Sequence, residues 1–215
     1  MNLKELKILV ADDHSIVRKG IINSLVTIFP NVITGEAANA AEVLHIMNHD
    51  QWDLVILDIS MPGRSGLEVL RDIKTGYPKV PVIIFSMYPE DQFAVRAIKA
   101  GASAYLSKDV SSKELEKAIK GILQGDHFFT PSVAALLTSE LQNNKRNKAV
   151  HETLSDREYQ VFQLISKGKG VSDIAEELNL SVKTISVYRS IILKKMNLKN
   201  NSEMMYYAFK NNLVS

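Results

Sequence analysis

The chain has 215 residues, of which 46% are hydrophobic and 23% charged, and its net charge at pH 7 is +2. This length favours two domains, and the composition is that of an ordinary globular protein rather than a disordered or collagen-like chain. The absence of cysteine excludes disulfides, thiolate chemistry and cysteine-type zinc sites.

No apolar run in the sequence approaches the roughly 20 residues that span a bilayer. Residues 1–13 lack the apolar centre and the small-residue cleavage site of a secretory signal. We therefore expect a cytoplasmic protein that does not engage a membrane.

Charge is distributed unevenly along the chain. Residues 1–125 contain 14 basic and 15 acidic residues, whereas residues 183–215 contain six basic residues and one acidic residue. Positive charge gathered at one end suits a polyanionic partner such as nucleic acid. The same charge distribution would also arise from a basic helix face that is simply exposed to solvent.

The first 125 residues alternate short apolar runs with amphipathic stretches, which predicts five strand–helix units. The predicted strands are Lys7–Ala11, Val32–Ala37, Leu54–Asp58, Val82–Ser86 and Ala104–Ser107. The predicted helices are Ile16–Phe29, Ala40–Met47, Leu67–Thr75, Asp91–Ala100 and Ser112–Leu123. Nearly continuous apolar strands separated by helices predict an α/β domain with a doubly wound, five-stranded parallel sheet.

Residues 126–150 are predicted to be a linker. Val133–Leu141 has the pattern of a short helix, and the polar, acid-free run at 142–148 is typical of a flexible connection. From Thr153 onward the pattern predicts helices and no strands. Residues 151–215 are therefore predicted to form a second, all-α domain.

Five residues suited to phosphoryl or metal chemistry lie where predicted strands end. Asp12 and Asp13 follow the first strand, Asp58 ends the third, Ser86 ends the fourth, and Lys108 follows the fifth. Because the carboxyl ends of parallel strands border one crevice, we expect these side chains to converge. Three carboxylates repel one another unless a cation relieves the charge, and hard oxygen ligands favour Mg2+.

Asp58 could act as a nucleophile towards phosphorus, with Mg2+, Ser86 and Lys108 contacting the phosphoryl oxygens. A haloacid-dehalogenase-type phosphatase would have a second aspartate two residues later, where this chain has Ser60. The sequence therefore favours a phosphoacceptor over a phosphatase that acts on outside substrates. His14, beside the pocket, is predicted to be an ordinary residue at a helix start.

Residues 5–125 resemble the receiver domains of two-component signalling. The motifs that match are Val10-Ala-Asp-Asp13, Leu57-Asp-Ile-Ser-Met-Pro-Gly63, Phe85-Ser-Met87 and Ala104-Tyr-Leu-Ser-Lys108. The resemblance implies a flavodoxin-like fold in which a partner sensor histidine kinase phosphorylates Asp58. It also implies that Asp13 and Asp58 bind Mg2+ directly, with Asp12 acting through water and the backbone carbonyl of Ser60 as a further ligand.

The same resemblance assigns Ser86 and Tyr105 to the family's switch positions. Phosphate would draw the hydroxyl of Ser86 inward and allow Tyr105 to turn from an exposed to a buried position. A tyrosine at a strand end can also be purely structural, so the motif alone leaves both roles open for Tyr105.

In the second domain, helices are predicted at Val171–Leu178 and Val182–Met196, joined by a short turn. The outward face of the longer helix carries small polar and basic residues, which suits the DNA major groove with lysines near phosphates. A three-helix protein-interaction bundle fits the same pattern. The predicted DNA contacts are Lys183, Thr184, Ser186, Val187, Arg189, Ser190, Lys194 and Lys195.

Residues 153–213 resemble the LuxR-type helix-turn-helix. The matching segments are Leu154-Ser-Asp-Arg-Glu158, Lys167-Gly168, Asp173-Ile-Ala-Glu-Glu-Leu178, Ser181-Val-Lys-Thr-Ile185 and Ile192-Leu-Lys-Lys-Met196. The pairing with a receiver resembles the NarL/FixJ class, which implies a transcriptional response regulator with a four-helix DNA-binding domain. Tyr188 departs from the histidine and Asn201 from the arginine common in the family, and Ser186 and Ser190 replace residues that are often basic.

In this family the receiver can cover the DNA-reading helix until phosphorylation frees it and a homodimer forms on paired half-sites. We adopt this as a hypothesis for the chain. Its dimer face would be the first and fifth helices, or the fourth helix, fifth strand and fifth helix. The alternatives are constitutive DNA binding with the receiver as a dimerisation platform, and an interaction module that does not bind DNA.

Overall fold

The computed structural model describes residues 5–143 and 149–214. The chain divides into two compact units, Met1–Leu141 and Gln142–Ser215. Residues 142 and 143, the first two of the predicted flexible run, are helical instead, and the rest of that run lies outside the described residues. Across the described ranges, every helix is too short or too polar to cross a membrane.

The first unit contains a five-stranded parallel sheet with the strand order β2-β1-β3-β4-β5. The strands are β1 (Lys7–Ala11), β2 (Ile33–Ala37), β3 (Leu54–Leu57), β4 (Val82–Ser86) and β5 (Ala104–Ser107). The helices between and after them are α1 (Ser15–Ile28), α2 (Ala40–His49), α3 (Gly66–Gly76), α4 (Glu90–Lys99) and α5 (Ser112–Leu123). The strand order reverses between β1 and β3, which confirms the doubly wound α/β prediction and sets the crevice at their carboxyl ends.

The inner strands are apolar throughout because both of their faces are covered. All residues of β3 and β4 are buried, in keeping with the unbroken apolar runs of a parallel sheet. On one face Ile8, Leu54 and Ile83 pack with Leu25 of α1 and Ile119 of α5 in one core cluster. This packing covers one face of the sheet with α1 and α5.

A sixth helix, α6 (Pro131–Asn143), follows the sheet and belongs to the first unit up to Leu141. It begins two residues before the predicted helix because Thr130 caps it, with Oγ1 accepting a hydrogen bond from the backbone N of Val133 at 3.2 Å. Pro131 suits the first helical position, where no N–H donor is needed. Val133 is fully buried, so the first turn of α6 is packed rather than solvated.

The described part of the second unit, residues 149–214, is all-α. After a 3-10 turn at Val150–Thr153 come α7 (Asp156–Ser166), α8 (Val171–Glu177), α9 (Val182–Met196) and α10 (Asn201–Lys210). α7 packs against each of the other three helices, and α8 packs against α9. The turn between α8 and α9 contains Asn179 in the left-handed region, with φ of 53°, which asparagine tolerates better than most residues. The predicted four-helix arrangement is confirmed.

Candidate functional site

Four of the strand-end residues singled out in the sequence, Asp12, Asp13, Asp58 and Lys108, cluster at the carboxyl edge of the sheet, and Ser86 ends the neighbouring strand there. Asp12 and Asp58 are almost fully buried, with exposures of 1% and 2%. Nζ of Lys108 lies 2.6 Å from Oδ2 of Asp12 and 3.0 Å from Oδ2 of Asp58. One ammonium group therefore bridges two buried carboxylates that follow different strands.

Backbone contacts fix these side chains in position. The N–H of Asp58 donates to the carbonyl of Ala11 at 2.9 Å, and the N–H of Lys108 donates to the carbonyl of Ser86 at 3.0 Å. The first residue of α3 lies directly against Asp58, because a Cβ on Gly66 would be 1.9 Å from the Asp58 carbonyl oxygen. The chain after Asp58 can fold back this closely only because residue 66 is glycine.

Burial determines the electrostatics of the pocket. It raises the pKa of Asp58 from its ordinary 3.8 to about 6; Lys108 and a backbone hydrogen bond from Ser60 oppose the rise, and the charge of Asp12 adds to it. Burial lowers the pKa of Lys108, but Asp58 and Asp12 outweigh this effect and leave the pKa raised. Lys108 therefore remains a cation, while ionisation of Asp58 is costly.

The acidic residues fit a divalent metal ion. Asp12, Asp13 and Asp58 each offer an oxygen within 4.8 Å of the others, and a ring nitrogen of His14 belongs to the same group. Nδ1 of His14 lies 2.8 Å from Oδ1 of Asp13. Three carboxylates opposite one lysine leave an excess of two negative charges, which a divalent cation with oxygen ligands would balance.

Ser86 and Tyr105, the two predicted switch residues, both contact the backbone of Tyr88. Oγ of Ser86 accepts from the N–H of Tyr88 at 3.2 Å, and the hydroxyl of Tyr105 donates to the Tyr88 carbonyl at 2.7 Å. Tyr105 is fully buried. Burial raises the pKa of Tyr105, a hydrogen bond with Ser86 opposes the rise, and the charges of Asp58 and Glu90 add to it. Of the exposed and the buried position predicted for the Tyr105 side chain, the structure therefore shows the buried one.

In the second unit, α9 has one exposed and one buried face. The buried face contains Ile185, Ile192 and Met196. The helix begins with a cap in which Oγ of Ser181 accepts from the N–H of Thr184 at 3.0 Å. Six of the predicted DNA contacts are exposed, namely Lys183, Ser186, Val187, Ser190, Lys194 and Lys195, and Thr184 and Arg189 are half-buried beside them.

Two predicted DNA contacts on the flanks of α9 bind other residues of the same unit. Nε of Arg189 donates to Oδ1 of Asn201 at 2.6 Å. Nζ of Lys195 donates to both carboxylate oxygens of Glu158, at 2.7 and 2.9 Å. The sequence did not identify either pairing, since no periodicity links residues 12 or 37 positions apart on different helices.

Comparisons with known proteins cover both units. Residues 8–120 match the family model of the response regulator receiver domain, and residues 152–208 match that of the bacterial regulatory proteins of the luxR family. The oxygen regulatory protein NreC of Staphylococcus carnosus is 33% identical over 97% of this chain and 99% of its own length. Response regulator UvrY of Escherichia coli is 31% identical over 98% of this chain and 96% of its own length.

Solved structures with this architecture include a regulator bound to DNA. RcsB from Salmonella enterica serovar Typhimurium, bound to promoter rprA in the presence of the phosphomimetic BeF3-, has a TM-score of 0.62 at 26% identity. The match covers 95% of this chain and 98% of that one. This chain belongs to the two-component response regulators of the NarL/FixJ class, in which a receiver domain is joined to a LuxR-type DNA-binding helix-turn-helix.

Proposed function

We propose that transfer of a phosphoryl group to Asp58, from a phosphohistidine of a partner sensor histidine kinase, switches this regulator. The observation that supports the proposal most is the Lys108 ammonium, 3.0 Å from Oδ2 of Asp58 and 2.6 Å from Oδ2 of Asp12. A fixed cation beside a buried carboxylate would bind phosphoryl oxygens as charge develops on them.

The chemistry needs few groups. A carboxylate oxygen of Asp58 attacks phosphorus and forms a P–O bond, the N–P bond of the donor breaks, and its electron pair remains on the imidazole nitrogen. Lys108 and the hydroxyl of Ser86 then bind phosphoryl oxygens. Mg2+, when bound, would neutralise part of the phosphoryl charge; we assign Asp13, Asp58 and the Ser60 backbone carbonyl as direct ligands, with Asp12 acting through water.

The chain would act as a phosphoacceptor and not as an enzyme with outside substrates. Small phosphodonors such as acetyl phosphate would label Asp58 slowly without the kinase, and water would slowly hydrolyse the acyl phosphate. Rotation of the Ser86 side chain towards a phosphoryl oxygen would move its Oγ away from the N–H of Tyr88, whereas Tyr105 would keep its buried position.

The output is DNA binding through α9. Its exposed polar and basic face would lie in the major groove, with lysines and Arg189 at phosphates. We assign the contacts to Lys183, Thr184, Ser186, Val187, Arg189, Ser190, Lys194 and Lys195. The phosphorylated chain would form a homodimer on paired half-sites, consistent with the DNA-bound dimers of RcsB. Binding to chromosomal DNA implies a cytoplasmic location.

Mass spectrometry would test the phosphoacceptor assignment. The protein is incubated with acetyl phosphate, with and without Mg2+, and Asp58→Ala serves as the control. We expect one added phosphoryl group at Asp58 that requires Mg2+. DNA affinity is then compared between the two states over a salt series. Failure to label, beside a receiver that does label, would contradict the proposal; salt-dependent binding that is equal in both states would favour constitutive DNA binding instead.

A further inference from the structure

The first residue of α4 holds the start of α6. Both carboxylate oxygens of Glu90 accept from Oγ1 of Thr130, at 2.9 and 3.0 Å. The hydroxyl of Ser132 donates to the same carboxylate. Because Thr130 also caps α6, one carboxylate of α4 binds both the cap and a first-turn residue of α6. We call Glu90, Thr130 and Ser132 the Glu90 anchor.

A second contact joins the far ends of the same two helices. Lys99, the last residue of α4, forms an ion pair with Glu140 in the last turn of α6. The two helices therefore run side by side in the same direction. α6 ends at Asn143, from which the chain continues to the DNA-binding unit. A shift of α4 would consequently be passed to α6, the last described helix before that unit.

The Glu90 anchor is also close to the switch residues along the backbone. Tyr88, which contacts both Ser86 and Tyr105, is separated from Glu90 only by Pro89. Proline allows little variation in φ, so a displacement of the Tyr88 backbone is transmitted to the start of α4 with little local adjustment. The charge of Glu90 raises the pKa of Tyr105, which agrees with this proximity.

We propose that Glu90 is a positioning residue that couples the loop between β4 and α4 to α6, and through α6 to the DNA-binding unit. The inference rests on the proposed phosphorylation of Asp58. When Ser86 turns to a phosphoryl oxygen it releases the N–H of Tyr88, the loop shifts, and the carboxylate of Glu90 moves away from Thr130 and Ser132. The first turn of α6 is then freed from α4.

Matched variants separate the Glu90 anchor from a general loss of charge. Glu90→Ala removes the carboxylate that Thr130 and Ser132 bind. Asp91→Ala removes the same charge from the same turn of α4, at an exposed residue outside the anchor. Ser132→Ala deletes one of the two hydroxyl donors and keeps the cap of α6, so it tests the anchor with a milder change.

Two readouts are measured on the full chain, with and without Mg2+ and beryllofluoride as the phosphoryl mimic. Hydrogen exchange of the α6 amides should rise in the wild type when the mimic binds, whereas Glu90→Ala should already exchange fast and respond little.

The ratio of DNA affinities between the two states is typically about 5- to 150-fold for coupled sites, and we expect it to fall at least about threefold in Glu90→Ala. Asp91→Ala should behave as the wild type, and Ser132→Ala should give values between those of the wild type and Glu90→Ala.

The outcomes distinguish this inference from the proposed function. If acetyl phosphate labels Asp58 in Glu90→Ala to the same extent as in the wild type, and the ratio of DNA affinities is the same in both proteins, Glu90 has no coupling role. Unchanged α6 exchange in the wild type on binding of the mimic would overturn the inference equally. If the wild type is not labelled and its DNA affinity does not respond, the phosphorylation proposal fails and this inference fails with it.

Discussion

Nζ of Lys195, on α9, lies 2.7 Å from Oε2 of Glu158 on α7. The Glu158 side chain is only 8% exposed and also accepts from the N–H of Ser155 at 2.7 Å, as part of the capping box of α7. Lys195 therefore neutralises a nearly buried carboxylate inside the helix-turn-helix. The Lys195 side chain is itself 41% exposed, and its exposed neighbour Lys194 is also available to a phosphate.

Substitution of the two neighbouring lysines by methionine should affect different properties, mainly stability for Lys195 and mainly DNA binding for Lys194. Lys195→Met should lower the free energy of unfolding of the second unit by about 1 kcal/mol, because the nearly buried Glu158 loses a counter-charge that solvent partly screens. Lys194→Met should change it by less than about 0.5 kcal/mol, yet should reduce the salt dependence of DNA binding by the equivalent of about one phosphate contact. Calorimetry and fluorescence polarisation over a salt series measure both effects. Equal destabilisation by the two substitutions would contradict a structural role for Lys195.

Asn201 should orient Arg189 for a phosphate contact. Its Oδ1 accepts from Nε of Arg189 at 2.6 Å, which leaves both terminal amino groups of the guanidinium for a ligand. Asn201→Ala should weaken binding to every duplex by a similar factor, about 2- to 10-fold. In an Arg189→Ala background the same substitution should have no effect, as a double-mutant cycle would show. Altered discrimination between DNA sequences would instead indicate that Arg189 reads bases.

The metal-free protein should be less stable at high pH because of Asp58. The folded-state pKa of about 6 lies above the ordinary 3.8, so the folded state retains the proton to higher pH than the unfolded state. Ionised Asp58 therefore costs stability above pH 6, and the cost disappears as pH falls from 6 to about 4. The difference between the two pKa values corresponds to about 3 kcal/mol. Asp58→Asn should stabilise the first unit by up to that amount at pH 8 in EDTA.

Tryptophan fluorescence can measure this effect in the first unit alone, since Trp52 is the single tryptophan of the chain. The advantage of Asp58→Asn should shrink towards pH 5. Added Mg2+ should stabilise the wild type much more than the variant at pH 8. A variant no more stable than the wild type at pH 8 in EDTA would show that Asp58 ionises in the fold without penalty.

A methyl group at residue 66 should disturb the phosphoacceptor directly. In Gly66→Ala the new Cβ would be 1.9 Å from the carbonyl oxygen of Asp58 and 2.9 Å from Cα of Ile59, and backbone atoms cannot rotate away. We expect a loss of about 2–4 kcal/mol in unfolding free energy and slower labelling of Asp58. Gly76→Ala, at the other end of α3, would place its methyl in open space. It should be neutral or stabilise by up to about 1 kcal/mol, so comparable losses in both variants would contradict the close-approach argument.

The sheet and its pocket could be predicted because their signals are local. Apolar runs such as Leu54–Leu57 are continuous only when both faces of a strand are covered. Once the sheet is known to be parallel, its geometry brings Asp12, Asp58 and Lys108 to one edge without any knowledge of side-chain contacts. The start of α6 could also have been predicted from the sequence. Thr130 followed by Pro131 is a helix-start signal that outweighs the apolar pattern beginning at Val133.

The remaining contacts depend on which helix faces meet in space. Glu90 and Thr130 are 40 residues apart, and neither carries a signal that selects the other. Arg157 likewise reads as a surface residue of an amphipathic helix, yet it is 1% exposed, and Nη2 donates to the carbonyl of Leu178 at 3.3 Å in the turn before α9. Such pairings follow from packing angles and side-chain rotamers, which hydrophobic periodicity does not encode.

The packing of α6 onto the sheet unit determines where this receiver can be fused to other proteins. A chimera joined at residue 125, just after α5, would discard Thr130 and the buried Val133 and would leave Glu90 without the two hydroxyl groups it binds. A junction after Leu141, where the first unit ends, preserves all of these contacts. In a modular exchange between regulators, α6 should therefore be transferred with the receiver that precedes it, whichever output domain follows.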